Sequence, residues 1–154
     1  MRIDYYDLPF GGQLLLWTTR LIIYGSCRTK PNKYKMIDMA YSKVGIEEGS
    51  KLLKPFVGFL RNNKAFKIQP MCERFLIEDE INLIKCIESF KSNSTYNNTF
   101  IKIWKLEDEK ESFIYYTKLL ARSFEKAKLN TNISFSENRF NNFNDNNYNL
   151  ETRH

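Results

Sequence analysis

Leu14-Leu15-Leu16-Trp17-Thr18-Thr19-Arg20-Leu21-Ile22-Ile23-Tyr24 is the stretch on which the fold turns. Wound as an α-helix, it carries apolar side chains round nearly its whole circumference, and only Thr18, Thr19 and Arg20 are polar. A helix of that kind is enclosed by other elements rather than laid on a surface. Gly11-Gly12 before it and Gly25-Ser26 after it mark its ends. The expectation is a central N-terminal helix from about Gly12 to Tyr24, with Leu14, Leu16, Trp17 and Leu21 nearly fully buried.

Outward from this helix, the remaining chain reads as further amphipathic helices. Residues 1–10 form a short entry segment, with Ile3, Tyr5, Tyr6 and Phe10 available to lie on the core. Tyr34, Ile37, Tyr41 and Val44 fall at 3-4-3 spacing, one stripe of a helix over about Lys33–Lys43 that Gly45 ends. A third helix is expected from near Glu47, with Leu52, Leu53, Phe56, Val57 and Leu60 inward. Pro55 should kink it or mark a later start near Lys54, because proline removes a backbone donor. Glu78-Asp79-Glu80 opens a fourth helix and suits the positive end of its dipole, as Glu107-Asp108-Glu109 suits a long helix reaching Lys128. In that last helix Phe113, Tyr116, Leu119, Leu120 and Phe124 form the expected inner face. Phe66–Ile68 and Phe100–Ile103 alternate polar and apolar, so a short extended pair competes there with helix.

Nine of the 25 residues from Asn130 to His154 are asparagine. Such a composition buries too little apolar surface to offset the entropy of ordering it. The expected organisation is therefore one helical domain over residues 1–129 and a disordered Asn-rich tail over 130–154. The fold class is all-α, an irregular bundle of about five helices around the N-terminal one.

With 154 residues, 42% of them hydrophobic and 15% aromatic, the chain can form a core without disulfides or metal. Its three cysteines, Cys27, Cys72 and Cys86, are odd in number and widely spaced, so a reducing, cytoplasmic setting is expected. No apolar run approaches the roughly 18 residues of a membrane span. Zinc would call for paired ligands about two to four residues apart, and the cysteines offer none. The one histidine, His154, ends the tail, where no base is held against a nucleophile. Gly11-Gly12 lacks the lysine of a phosphate loop, and Gly45 with Gly49 lacks the rest of a dinucleotide fingerprint. No catalytic residue, cofactor or metal is assigned.

A net charge of +6 is modest and spread along the chain. Its densest part is Arg28-Thr29-Lys30-Pro31-Asn32-Lys33-Tyr34-Lys35, four cations in eight residues with a tyrosine among them. Arg28, Lys30, Lys33, Tyr34 and Lys35 are the candidate nucleic-acid contacts, since cations track phosphates and an aromatic ring stacks on bases. The helix–Gly45 turn–helix that follows has the outline of a helix-turn-helix. Against it, the second helix is largely apolar, and Glu47 and Glu48 would repel phosphate. A solvated basic loop explains the same residues. The first expectation is accordingly a non-enzymatic helical domain whose partner is another protein, met by an exposed part of its aromatic surface. A nucleic-acid-binding regulator is the alternative, and an enzyme without a legible motif is a third class.

Overall fold

A computed structural model describes residues 2–25, 32–91 and 99–133. Six α-helices account for most of it: α1 (Phe10–Tyr24), α2 (Lys33–Ser42), α3 (Gly49–Arg61), α4 (Glu78–Ser89), α5 (Thr99–Ile103) and α6 (Lys110–Lys126). Two 3₁₀ turns, Tyr5–Asp7 and Glu107–Glu109, precede α1 and α6. Among the described residues there is no strand, and a single antiparallel bridge pairs Asp4 with Phe75. The protein is a helical bundle. Among the described residues no helix is long and apolar enough to cross a membrane.

The N-terminal helix lies against α2, α3 and α4, and α3 in turn packs on α6. Leu15, Leu16, Leu21 and Ile22 are buried, joined in one core by Leu53, Phe56, Val57 and Leu60 of α3. Gly25, at a positive φ of 77°, caps the helix by donating its N–H to the Leu21 carbonyl. At the other end, Gly11 has no room for a side chain. A Cβ there would stand 2.4 Å from the Asn130 carbonyl oxygen. Gly12 donates its backbone N–H to the same oxygen, which ties the end of the described chain to the start of α1.

Pro55 neither ends α3 nor delays it. The helix starts at Gly49, where Asp38 of α2 accepts the Ser50 N–H, and runs through the proline to Arg61. A proline inside a helix costs about 3 kcal/mol. Burial of Leu53, Phe56, Val57 and Leu60, at about 1.5–3 kcal/mol each, outweighs it.

Residues 99–103 form a helix rather than a strand, for a steric and polar reason. Alternation would place Phe100, Lys102 and Trp104 on one face and take a lysine inside. Helical winding instead turns Phe100, Ile101 and Trp104 inward and leaves Lys102 and Ile103 outside. In α6 the buried stripe is Phe113, Thr117, Leu120 and Phe124 at 4-3-4 spacing, with Leu119 exposed rather than inward.

Beyond α6 the chain remains packed past the composition change at Asn130. Leu129, Thr131 and Ile133 are buried, and Thr131 donates to the Glu88 carboxylate while Lys91 holds the Leu129 carbonyl. The rest of the expected tail, from residue 134 onward, lies outside the described residues.

Candidate aromatic cleft

Three polar residues of α1 are inside, and its aromatic residues lie toward the outside. Thr18, Thr19 and Arg20 are all buried. Phe10 and Tyr24, by contrast, are 58% and 56% exposed, and Trp17 is half-buried rather than enclosed. Phe10, Gln13, Trp17 and Tyr24 recur at 3-4-7 spacing, so they share one strip of the helix. Tyr6, in the turn before α1, is 74% exposed. Neither Tyr6 nor Phe10 reaches the core, contrary to the expectation for the entry segment.

Thr18, Thr19 and Arg20, the buried polar groups of α1, each have a local or tertiary partner. Thr18 and Thr19 donate to the carbonyls of Leu14 and Leu15, one turn back. Tyr41 of α2 hydrogen-bonds the Thr18 hydroxyl at 2.8 Å, and burial pushes the Tyr41 phenol well above its ordinary range. Arg20 reaches α4, where Nε and Nη2 donate to the two carboxylate oxygens of Glu80 at 2.8 and 2.9 Å. Its Nη1 donates to the Glu73 carbonyl at 2.7 Å. Glu80 also accepts the backbone N–H groups of Gln69 and Ile77. The acidic run at the start of α4 thus does more than complement a dipole. Its third member holds α1, α4 and the intervening loop together.

This pairing places loop residues 71–74 beside α1. The backbone adds to it, since Tyr5 donates its N–H to the Arg74 carbonyl and Leu76 donates to that of Ile3. Between the 3₁₀ turn, α1 and the loop lies a cleft of about 450 Å³, lined by Tyr5, Tyr6, Trp17, Arg20, Met71, Cys72, Glu73 and Arg74. Its size falls within the range of small-ligand and anchor pockets. The rings of Tyr5 and Tyr6 stand nearly perpendicular, at 85° with centroids 5.3 Å apart. Tyr5 is fixed by donating its hydroxyl to the Gln13 carbonyl. Its phenol is pushed up to about 12, chiefly by burial, with Arg20 opposing. The cleft therefore holds Tyr5 as a neutral hydrogen-bond donor at any ordinary pH.

Of the candidate basic segment, the structure describes Lys33, Tyr34 and Lys35. Arg28, Lys30 and Cys27 lie outside the described residues. Lys33 is half-buried and donates its ammonium to the Ile22 carbonyl at the C-terminal end of α1. Tyr34 already carries a cation, the Lys54 ammonium, 4.0 Å from its ring centroid. Lys35 is exposed. Asn32 caps α2 by accepting the N–H groups of Tyr34 and Lys35. Of the other cysteines, Cys72 lines the cleft and Cys86 is enclosed in α4. Among the described residues no three His, Cys, Asp or Glu side chains gather into a metal-binding group.

Sequence reasoning missed the cleft because its parts lie at positions 5–6, 17–20 and 71–74. The available signal was Trp17 itself. An indole carries a polar N–H, which makes it a weaker candidate than leucine for a closed core. In comparisons with family models, curated proteins and solved structures, nothing matches the chain.

Proposed function

We propose that the protein is a non-enzymatic, helical protein-interaction domain that docks a partner through the cleft beside α1. The observation that supports this reading most directly is the placement of Tyr6, Phe10, Trp17 and Tyr24. Four aromatic residues along one edge of the bundle remain accessible while buried polar groups occupy positions in the same helix. Aromatic side chains give large contact area at little conformational cost and often dominate interfaces. The surrounding loop is held by the Arg20–Glu80 pair, so the surface is set before a partner arrives. The thiol of Cys86, enclosed in α4 without a disulfide, suits the reducing, cytoplasmic setting that belongs to this reading.

Photo-crosslinking tests it. A benzoylphenylalanine placed at position 6 should give a discrete protein adduct in extract of the native cells, competed away by excess unlabelled protein. The same group at position 39, where Met39 is exposed on α2, should not. Adducts of equal pattern from both positions, or none from position 6, would refute the cleft as the docking site. Nuclease-sensitive, steeply salt-dependent retention that disappears when Arg28, Lys30, Lys33 and Lys35 become glutamine would favour the nucleic-acid alternative.

A further inference from the structure

Charge and ring geometry say more about what the cleft receives. Two of its lining residues are arginines, yet each already faces a carboxylate. Arg20 is bidentate with Glu80, and Arg74 pairs with Asp4 through its Nε. Glu73 is different. It is exposed, its carbonyl is taken by Arg20, and its carboxylate has no ion-pair or hydrogen-bond partner among the described residues. The lining cations are thus neutralised locally, and Glu73 is left as the uncompensated charge.

The rings make the same point. Two aromatic faces outside the cleft, those of Phe75 and Tyr34, are covered by the protein's own cations. Arg2 and Arg74 lie over Phe75 at 4.0 and 5.5 Å, and Lys33 and Lys54 lie over Tyr34 at 5.5 and 4.0 Å. Among the described residues no cation lies over Tyr5, Tyr6 or Trp17. These three rings, two of them perpendicular, share one cleft with a free carboxylate. Perpendicular electron-rich faces beside an acidic group form the arrangement that attracts a desolvated organic ammonium.

We infer that the cleft receives a lysine side chain of the partner protein, preferentially in its N-methylated form. This rests on the protein-docking reading and adds the chemistry of the docked group. Methylation spreads the ammonium charge over an apolar surface, so the group fits against aromatic rings with less loss of hydration than a bare ammonium. Glu73 supplies long-range attraction, while Tyr5, Tyr6 and Trp17 supply contact.

The test uses the full chain and three small probes, followed by Trp17 fluorescence. The first is N-acetyl-trimethyllysine methylamide. The second is its uncharged tert-butyl isostere, and the third is N-acetylglutamate methylamide. A Trp17→Phe variant identifies the signal that comes from the cleft, because Trp104 is buried elsewhere. The trimethylammonium probe should bind about 2- to 30-fold more tightly than its neutral isostere, the range that cation–π attraction supports. Glu73→Gln and Tyr6→Leu should each reduce that ratio, and neither side chain is part of the core. Equal binding of the charged and neutral probes would overturn the inference while leaving the docking reading to the crosslinking result. Tighter binding of the glutamate probe, or no cleft signal with any probe, would also overturn it.

Discussion

Replacing Glu80 by glutamine removes one charge and almost no volume, and it should be among the most damaging single changes in the bundle. Glu80 is 0% exposed and Arg20 only 2%, so water cannot take over the solvation of the guanidinium. The amide can accept through one oxygen, whereas the carboxylate accepts from Arg20 Nε and Nη2 and from the N–H groups of Gln69 and Ile77. Its NH₂ group would meet donors. Breaking a buried ion pair from one side costs about 3–5 kcal/mol. That is a large part of the roughly 5–15 kcal/mol that holds a domain folded. Urea unfolding followed by far-UV circular dichroism at pH 7 should show the midpoint falling accordingly, with little change in slope. The loss should be less severe in the Arg20→Met/Glu80→Gln double variant, which no longer leaves a cation stranded. A Glu80→Gln cost below about 1 kcal/mol, or a double variant that loses the sum of the two single effects, would refute this account of the pair.

Gly11→Ala should cost about 1–3 kcal/mol in the same assay, because its Cβ meets backbone at Asn130 and Leu129. Gly12→Ala, whose Cβ would have ordinary 3.6 Å neighbours, should be neutral or slightly stabilising. Trp104→Ala should cost about 3–5 kcal/mol, since Trp104 is fully enclosed beside Phe66 and Phe100. Trp17→Ala should cost clearly less, with its main effect on binding. Alkaline stability follows from the buried phenols. Tyr5 ionises near 12 in the fold against 10.0 for a free phenol, and burial raises Tyr41 too. The unfolded chain therefore loses these protons first, so their contribution is complete below pH 10 and is lost as pH rises through 12. Tyr41→Phe should make that alkaline decline shallower, although it loses the Thr18 bond, worth about 1 kcal/mol, at neutral pH.

Much of the bundle is legible in sequence because its helices obey local rules. The limits of α2 and α4 follow from Asn32 as a cap, from apolar spacing and from the acidic opening at Glu78, all within one or two turns. The same rules fail where distant residues decide. Nothing near Arg20 announces that Glu80, sixty positions later, will accept its charge. Without that partner, Thr18, Thr19 and Arg20 look like the solvent edge of α1, and Trp17 looks like core. Supplying the pair reverses the assignment and rotates the aromatic strip outward. By hydropathy Leu119 likewise reads as part of the inner face of α6, while the 4-3-4 stripe from Phe113 to Phe124 turns Thr117 inward in its place. The cleft could not be read at all from spacing, since three separate segments build it. Of the basic segment, the structure ties Lys33 to the end of α1 and covers Tyr34 with Lys54, contacts that composition does not contain.

Acrylamide quenching of the two tryptophans tests the central claim, that α1 turns its aromatic strip to solvent. With Trp17→Phe, the remaining emission comes from Trp104 and should be blue-shifted and weakly quenched. The difference between this variant and the unaltered protein isolates Trp17, which should be more red-shifted and more readily quenched than Trp104, then protected when the trimethyllysine probe binds. A Trp17 component as blue-shifted and protected as that of Trp104 would mean that the strip faces the core, and the cleft reading would fall.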